Sequence, residues 1–174
     1  MNYKHYGAGL NDGKIKLSDG SEYDIGAVVS AEGDPQIDDV PVKGDDELKA
    51  TFYFNQREEI TIRANALSFD VIQAITGNSA SSSEDGIEVA LGTESEQNPP
   101  FVEVQAFTTG KDDDGSAVTI KKTWHKVQIG TIKMVQSGEN EFNVEMVGTA
   151  YSTSDDIEGE ALGSKRVATL RVIY

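Results

Sequence analysis

The amino-acid sequence predicts a mainly β fold: two packed antiparallel sheets, sandwich- or barrel-like, flanked by one short α-helix. Three observations carry this. Leu48, Ala50, Phe52 and Phe54 alternate with Lys49, Thr51 and Tyr53, and Ile60, Ile62 and Ala64 alternate with Thr61 and Arg63, the period of a sheet with one buried face. From Ser68 the period lengthens, because Phe69, Ile72 and Ile75, with Val71 one turn from Ile75, form a helical stripe. Ser68 is placed as its N-cap and Gly77 as its C′ residue. Turn signals then recur along the chain at the spacing of a sandwich or barrel.

In chain order, Lys14 to Ser18 and Glu22 to Val29 form a hairpin around Ser18-Asp19-Gly20-Ser21, with Asp-Gly as the turn signal. Residues 30–46 carry Pro35 and Pro41 among Glu32, Asp34, Asp38, Asp39, Asp45 and Asp46, a pattern incompatible with a central strand. The expectation is a long acidic loop, and loops of that length are functional or disordered. Asn55-Gln56-Arg57 is short enough to turn between the next two strands. A polar connector spans 78–85, strands follow at 86–91 and 101–109, and loops at 92–100 and 110–115. Ala117 to Val135 reads as one long strand or a bent pair. Val127 and Ile129 share one parity and Ile132 and Met134 the other, so a bulge or a change of sheet is expected at Gly130. Ser137 to Asn140 is a hairpin turn into Phe142, Val144 and Met146, and a polar loop at 152–163 precedes a last strand at 165–173. Nine or ten strands accompany one helix, in a single domain spanning 1–174.

The chain has 174 residues and a hydrophobic fraction of 37%, with the apolar residues gathered into strand-like runs rather than scattered. It has no cysteine, which removes disulfides, thiolate metal sites and cysteine nucleophiles together. MNYKHYGAGL lacks an apolar h-region and no run approaches 18 apolar residues, so neither a signal peptide nor a membrane anchor is expected. The formal charge of −15 repels nucleic acid in general, since phosphate contacts need Lys and Arg. The charge is uneven. Residues 78–116 hold nine acids and one lysine, whereas 117–135 hold Lys121, Lys122, Lys126 and Lys133 and no acid. A basic stripe in an acidic protein suits an acidic partner, and another copy of the same chain supplies one.

Catalytic and metal chemistry find little footing. An EF-hand loop beginning at Asp112 would need glycine where Ala117 stands and glutamate where Thr123 stands. His5 and His125 are the only histidines, too few for zinc without cysteine, and no G-x-S-x-G elbow presents a nucleophile. Trp124-His125, inside a strand-like run, reads as a packed or interfacial pair. Gly7-Ala8-Gly9 lacks the third glycine of a dinucleotide site. Adjacent carboxylates such as those of Asp45, Asp46 and Glu47 could serve sugar hydrolysis only across a cleft that sequence does not display. The expectation is a non-enzyme with no cofactor and no metal.

The order of elements, and above all the block GDDELKATFYFNQREEITIRANALSFDVIQAITG at 44–77, resembles the major tail tube proteins of long-tailed bacteriophages. YGAGLNDGKIKL near the start and KRVATLRVIY at the end are similar as well. The resemblance implies six copies joined in a ring and rings stacked into a tube lined by a continuous β-barrel. It also implies tail terminator, tape measure and baseplate proteins as partners, and DNA passing through without specific binding. The chain would then be found in the virion tail, and in the host cytoplasm during assembly. Ring formation by strand pairing would cover exposed sheet edges, and an acidic wall would not hold DNA. On this reading Glu103 and Glu145, each in the polar register of its strand, are candidates for the lumen. Asp34, Pro35, Ile37, Val40, Pro41 and Val42 are candidates for contact with the next ring. Lys121, Lys122, Lys126 and Lys133 are expected between subunits, facing acids of a neighbouring copy. A secretion-system-type tube protein would share fold and ring. A surface adhesin or carbohydrate-binding β-sandwich is the third reading, and a single tryptophan counts against it.

Overall fold

The computed structural model describes residues 6–26, 28–44, 47–65, 67–84, 86–89, 98–111, 114–137 and 141–173. Twelve strands and one helix follow in the order β1 Tyr6–Lys16, β2 Glu22–Asp24, β3 Val28–Gly44, β4 Glu47–Ala64, α1 Phe69–Thr76, β5 Ala80–Ser83, β6 Gly86–Val89, β7 Val102–Lys111, β8 Ala117–Ser137, β9 Glu141–Tyr151, β10 Thr153–Asp155, β11 Ala161–Arg166 and β12 Ala168–Ile173. The β1–β2 turn forms where Asp-Gly predicts it. Gly20 takes φ 85°, and the Asp19 carboxylate accepts from the Ser21 N–H at 2.9 Å, which holds that carboxyl below its usual range. Beyond Asp24 the chain leaves this hairpin through Gly26, also at positive φ, so the expected second strand is cut to three residues.

Eight strands form one antiparallel sheet in the order β2-β1-β7-β8-β9-β4-β3, with β12 added to β8. β8, at 21 residues, joins its two halves. Residues 117–127 pair with β7, and the stretch from Thr119 to Trp124 pairs with β12 on the other side. From Val127 onward β8 pairs with β9 instead. Register shifts between Trp124 and Val127 and between Ile129 and Thr131 bend it, the second at Gly130 as the change of parity requires. The sheet thereby folds over until β1 meets β3: a Cβ added to Gly13 would lie 2.6 Å from Val28 Cγ2. The two layers thus belong to one continuous sheet.

Between the layers Ile15, Ile60, Ile62, Val102, Val104, Trp124, Val127, Val144 and Met146 make one core, closed at a side by Val71 and Ile75 of α1. Ser68 Oγ accepts from the Val71 N–H, and the N–H of Gly77, at φ 74°, donates to Gln73 O at 2.8 Å, so both helix caps are where the sequence places them. The helix buries Val71, Ile72, Ala74, Ile75 and Thr76. Phe69, expected among them, is exposed because it begins the helix and turns to solvent.

Further expectations are corrected. Over 30–44 the expected loop is strand instead, most of β3, paired to β4 from Val28↔Ala64 to Gly44↔Glu47, while Asp45 and Asp46 lie outside the described residues. Its prolines are tolerated because β3 is the edge of the sheet, where a missing N–H need not break a ladder on both sides. Asn55-Gln56-Arg57 is no turn either. β4 continues through it with a register shift, Gln36 pairing with Arg57 and Asp38 with Phe54, since β3 and not the continuation of β4 is the antiparallel partner, and the Leu48–Phe54 and Ile60–Ala64 runs belong to one strand. The expected last strand divides at Val167 into β11 and β12. β10 and β11 pair across the expected loop at 152–163, as β5 and β6 do after the helix. Asp112, Asp113 and residues 138–140 lie outside the described residues, as do the side chains of 39–55.

Candidate assembly faces

Each half of the sheet turns its second face away from the core, and the two faces are built differently. On the β1-β7-β8-β12 half, the register brings Lys16 beside Glu103, and Lys14 beside Gln105 and then Thr123. Glu103, Gln105, Thr123 and His125 are all buried despite facing outward, and Glu158 from the turn after β10 reaches over to bond Lys16. The Glu103 carboxylate accepts from Gln105 Nε2 at 2.7 Å and sits 3.2 Å from His125 Nδ1, while His125 Nε2 lies 2.7 Å from Thr169 Oγ1. Burial pushes the Glu103 carboxyl up, but hydrogen bonds from His125 and Gln105 and the charge of Lys121 more than offset this, leaving it below the usual range. Burial also lowers the Lys121 ammonium, against the pull of Glu103 and Glu22.

Hydroxyl, imidazole and carboxylate in that order make the relay of acyl-transfer enzymes. Here the imidazole is 7% exposed, and Thr169 lies in mid-strand, its residue paired with Thr123. The row ties β7, β8 and β12 together through hydrogen-bonded side chains. Among the described residues no group of three His, Cys, Asp or Glu side chains is arranged to hold a metal ion, and no helix is long and apolar enough to cross a membrane.

On the β3-β4-β9-β8 half the outward face is an exposed ladder of alternating charge. Arg63 Nη1 lies 3.6 Å from Glu32, Arg63 Nε donates to Glu145 at 2.9 Å, and Lys133 Nζ donates to Glu145 at 3.1 Å. Cross-strand register explains the row, since Arg63 pairs with Glu145 and Glu145 with Lys133. Hydrogen bonds from both cations hold the Glu145 carboxyl below its usual range. The Glu32 and Lys133 side chains, at the ends of the row, keep 67% and 58% exposure, against 23% for Glu145 between two cations. Beyond Tyr151↔Arg57, β9 no longer accompanies β4. Gln36–Gly44 and their β4 partners continue as a two-stranded ribbon among the described residues, on the order of 30 Å long at ~3.4 Å per residue. Arg57 at its base binds Asp38 through both terminal nitrogens, at 3.0 and 3.3 Å.

The two halves are also joined at one end of the core. Lys122 Nζ donates to Glu58 at 2.7 Å, crossing between layers over the Trp124 ring, 4.3 Å from its centroid. Glu58 is buried, and its carboxylate occupies the space where a Cβ on Gly33 would stand.

Several expected site residues are thus relocated. Glu103 is no solvent-side acid: β7 is covered on both faces over Val102–Ala106, so it is withdrawn as a lumen candidate. Glu145 does lie on an outward face. Lys122 and Lys133 are bound to acids of their own chain, and Lys121 and Lys126 lie over the rings of Phe107 and Phe101, at 5.5 and 4.5 Å from the centroids. Asp34, Pro35 and Ile37 are exposed on β3, and Val40, Pro41 and Val42 belong to the ribbon, their side chains outside the described residues. Sequence reasoning missed Glu32 and Arg63, whose partners follow from cross-strand register, and Glu58, whose partner Lys122 stands on the opposite layer. The polar parity of Arg63 beside Ile62 and Ala64 was the available signal. No protein-family model matches the chain, and no curated protein matches it.

Proposed function

We propose that the chain is a structural subunit, not an enzyme: six copies join into a ring, and rings stack into a tube that conveys DNA, as in a phage tail. The observation that carries this is the β3-β4-β9-β8 half, with no strand beyond β3 among the described residues and a ribbon that extends past its neighbours. A sheet edge of that length invites another strand, and an isolated two-stranded ribbon is marginal in water until something packs on it. The ribbon, with exposed Ile37 near its base, is the element assigned to contact with the next ring.

The outward face of this half is the proposed lumen wall. Arg57, Arg63 and Lys133 there are each bound to an acid, so a passing phosphate competes with a carboxylate for every one of them, and the net charge of −15 adds repulsion. Tail terminator, tape measure and baseplate proteins are the partners that follow from this reading. Negative-stain electron microscopy of the purified chain over a range of concentrations tests it. Rings or tubes of uniform diameter are expected, and monodisperse monomers at every concentration would refute it.

A further inference from the structure

The charge ladder on the β3-β4-β9-β8 half ends in an acid at one edge and a base at the other. Glu32 stands on β3, which among the described residues has β4 on one side and no strand on the other. Lys133 stands on the part of β8 beyond Val127, which among the described residues has β9 on one side and no strand on the other. Both end members carry only one described partner of opposite charge, whereas Arg63 and Glu145 carry two. The four strands run antiparallel throughout, and four is an even number, so β3 and β8 run in opposite directions. A rotation about an axis along the strands that sets one copy's β3 beside the next copy's β8 therefore makes another antiparallel junction.

We propose that this is how copies join: residues 28–34 of β3 pair with residues 128–137 of β8 in a second copy of this chain, and Glu32 bonds the second copy's Lys133. The ladder then alternates without interruption from copy to copy. The contact is heterologous, so it closes into a ring when the rotation per copy divides a full turn. Pro35 offers no N–H to a partner, which confines the pairing to the stretch before it and leaves the ribbon for other contacts. The acid of each junction meets the base of the next copy, while the reversed approach, β3 to β3, sets Glu32 and Asp34 against themselves; like charges across an edge disfavour it.

The inference deepens the self-assembly reading and rests on it, so its test has a control for that reading. Assembly of the parent, Glu32→Lys, Lys133→Glu and the double reversal is followed by sedimentation velocity at low salt. Each single reversal is expected to raise the concentration needed for assembly about tenfold, as like charges meet at every junction. The double reversal should recover most of the loss, because the junction charges are opposite again, although each chain then holds a second cation against Arg63 and a second acid against Glu145. Glu32→Gln and Lys133→Met, which introduce no internal repulsion, should each give a smaller rise, and circular dichroism melts of the dilute chain report whether any variant fails to fold. A parent that never assembles overturns the subunit reading and this inference with it. A parent that assembles with all folded variants alike overturns the inference alone.

Discussion

The two outward faces of the sheet use the same residue types to opposite ends. On the β1-β7-β8-β12 half, Glu103, Gln105 and His125 are buried and bond one another and the half-buried Thr169 in a row that finishes inside the chain. On the β3-β4-β9-β8 half, Glu32, Arg63, Glu145 and Lys133 form a row that finishes at two edges with no further strand among the described residues. A closed polar network is worth its full hydrogen bonding to the monomer, because leaving any member unpaired in a buried site is costly. An exposed ladder adds little to the monomer, and its end charges are available to something else. The difference separates residues that make the fold from residues free to make an assembly.

The sharpest break in this comparison is expected from the closed row. His125→Ala leaves Glu103 and Thr169 without their shared partner and should destabilise the unassembled chain by about 2–3 kcal/mol, read from urea denaturation. A loss below measurement error would mean the row is not closed. Next comes the ion pair between layers. Glu58→Ala frees Lys122 at the end of the core, and with Lys122 partly solvated the expected loss is about 1–2 kcal/mol, by the same assay. Acid sharpens the contrast further. The Glu103 carboxyl titrates below its usual range in the folded chain, so its contribution is fully present above the unfolded value of ~4.3 and is lost as pH falls through the lower folded value. His125→Ala should flatten the fall in stability over that acid window, and an unchanged slope would detach Glu103 from it.

How much of this was legible in the sequence differs between the two faces for a physical reason. The period-2 runs, the Ser68 and Gly77 caps and the bend at Gly130 are local features, and local features are written in neighbouring residues. The charge ladder is not local: Arg63 and Glu145 are 82 positions apart and meet only through register. The same distinction explains the error at 30–46. Prolines and acids read correctly as unfit for a central strand, yet an edge strand accepts both, and being at the edge is a property of the whole sheet. Burial of Glu103 was hidden likewise, because its strand alternates in sequence while the turn carrying Glu158 covers the polar face.

The smallest expected effects belong to the open row. Glu145→Gln should leave the urea midpoint of the unassembled chain unchanged while weakening the hold on Arg63 and Lys133. In assembled tubes, Glu145→Lys should slow DNA passage in a salt-sensitive way, since a lumen lysine would grip phosphates. Passage at the parental rate in low salt would remove this face from the channel wall.

Joining of copies through the open edges is tested most directly by a zero-length carbodiimide cross-link between Glu32 and Lys133. Within one chain the two residues are separated by β4 and β9, three strand spacings or roughly 14 Å, too far for an amide bond between their side chains without distortion. In protein assembled from a mixture of unlabelled and nitrogen-15-labelled chains, mass spectrometry should find the Glu32–Lys133 peptide pair with mixed labels. Its absence from assembled protein, or its presence only with both peptides from the same chain, would contradict the account.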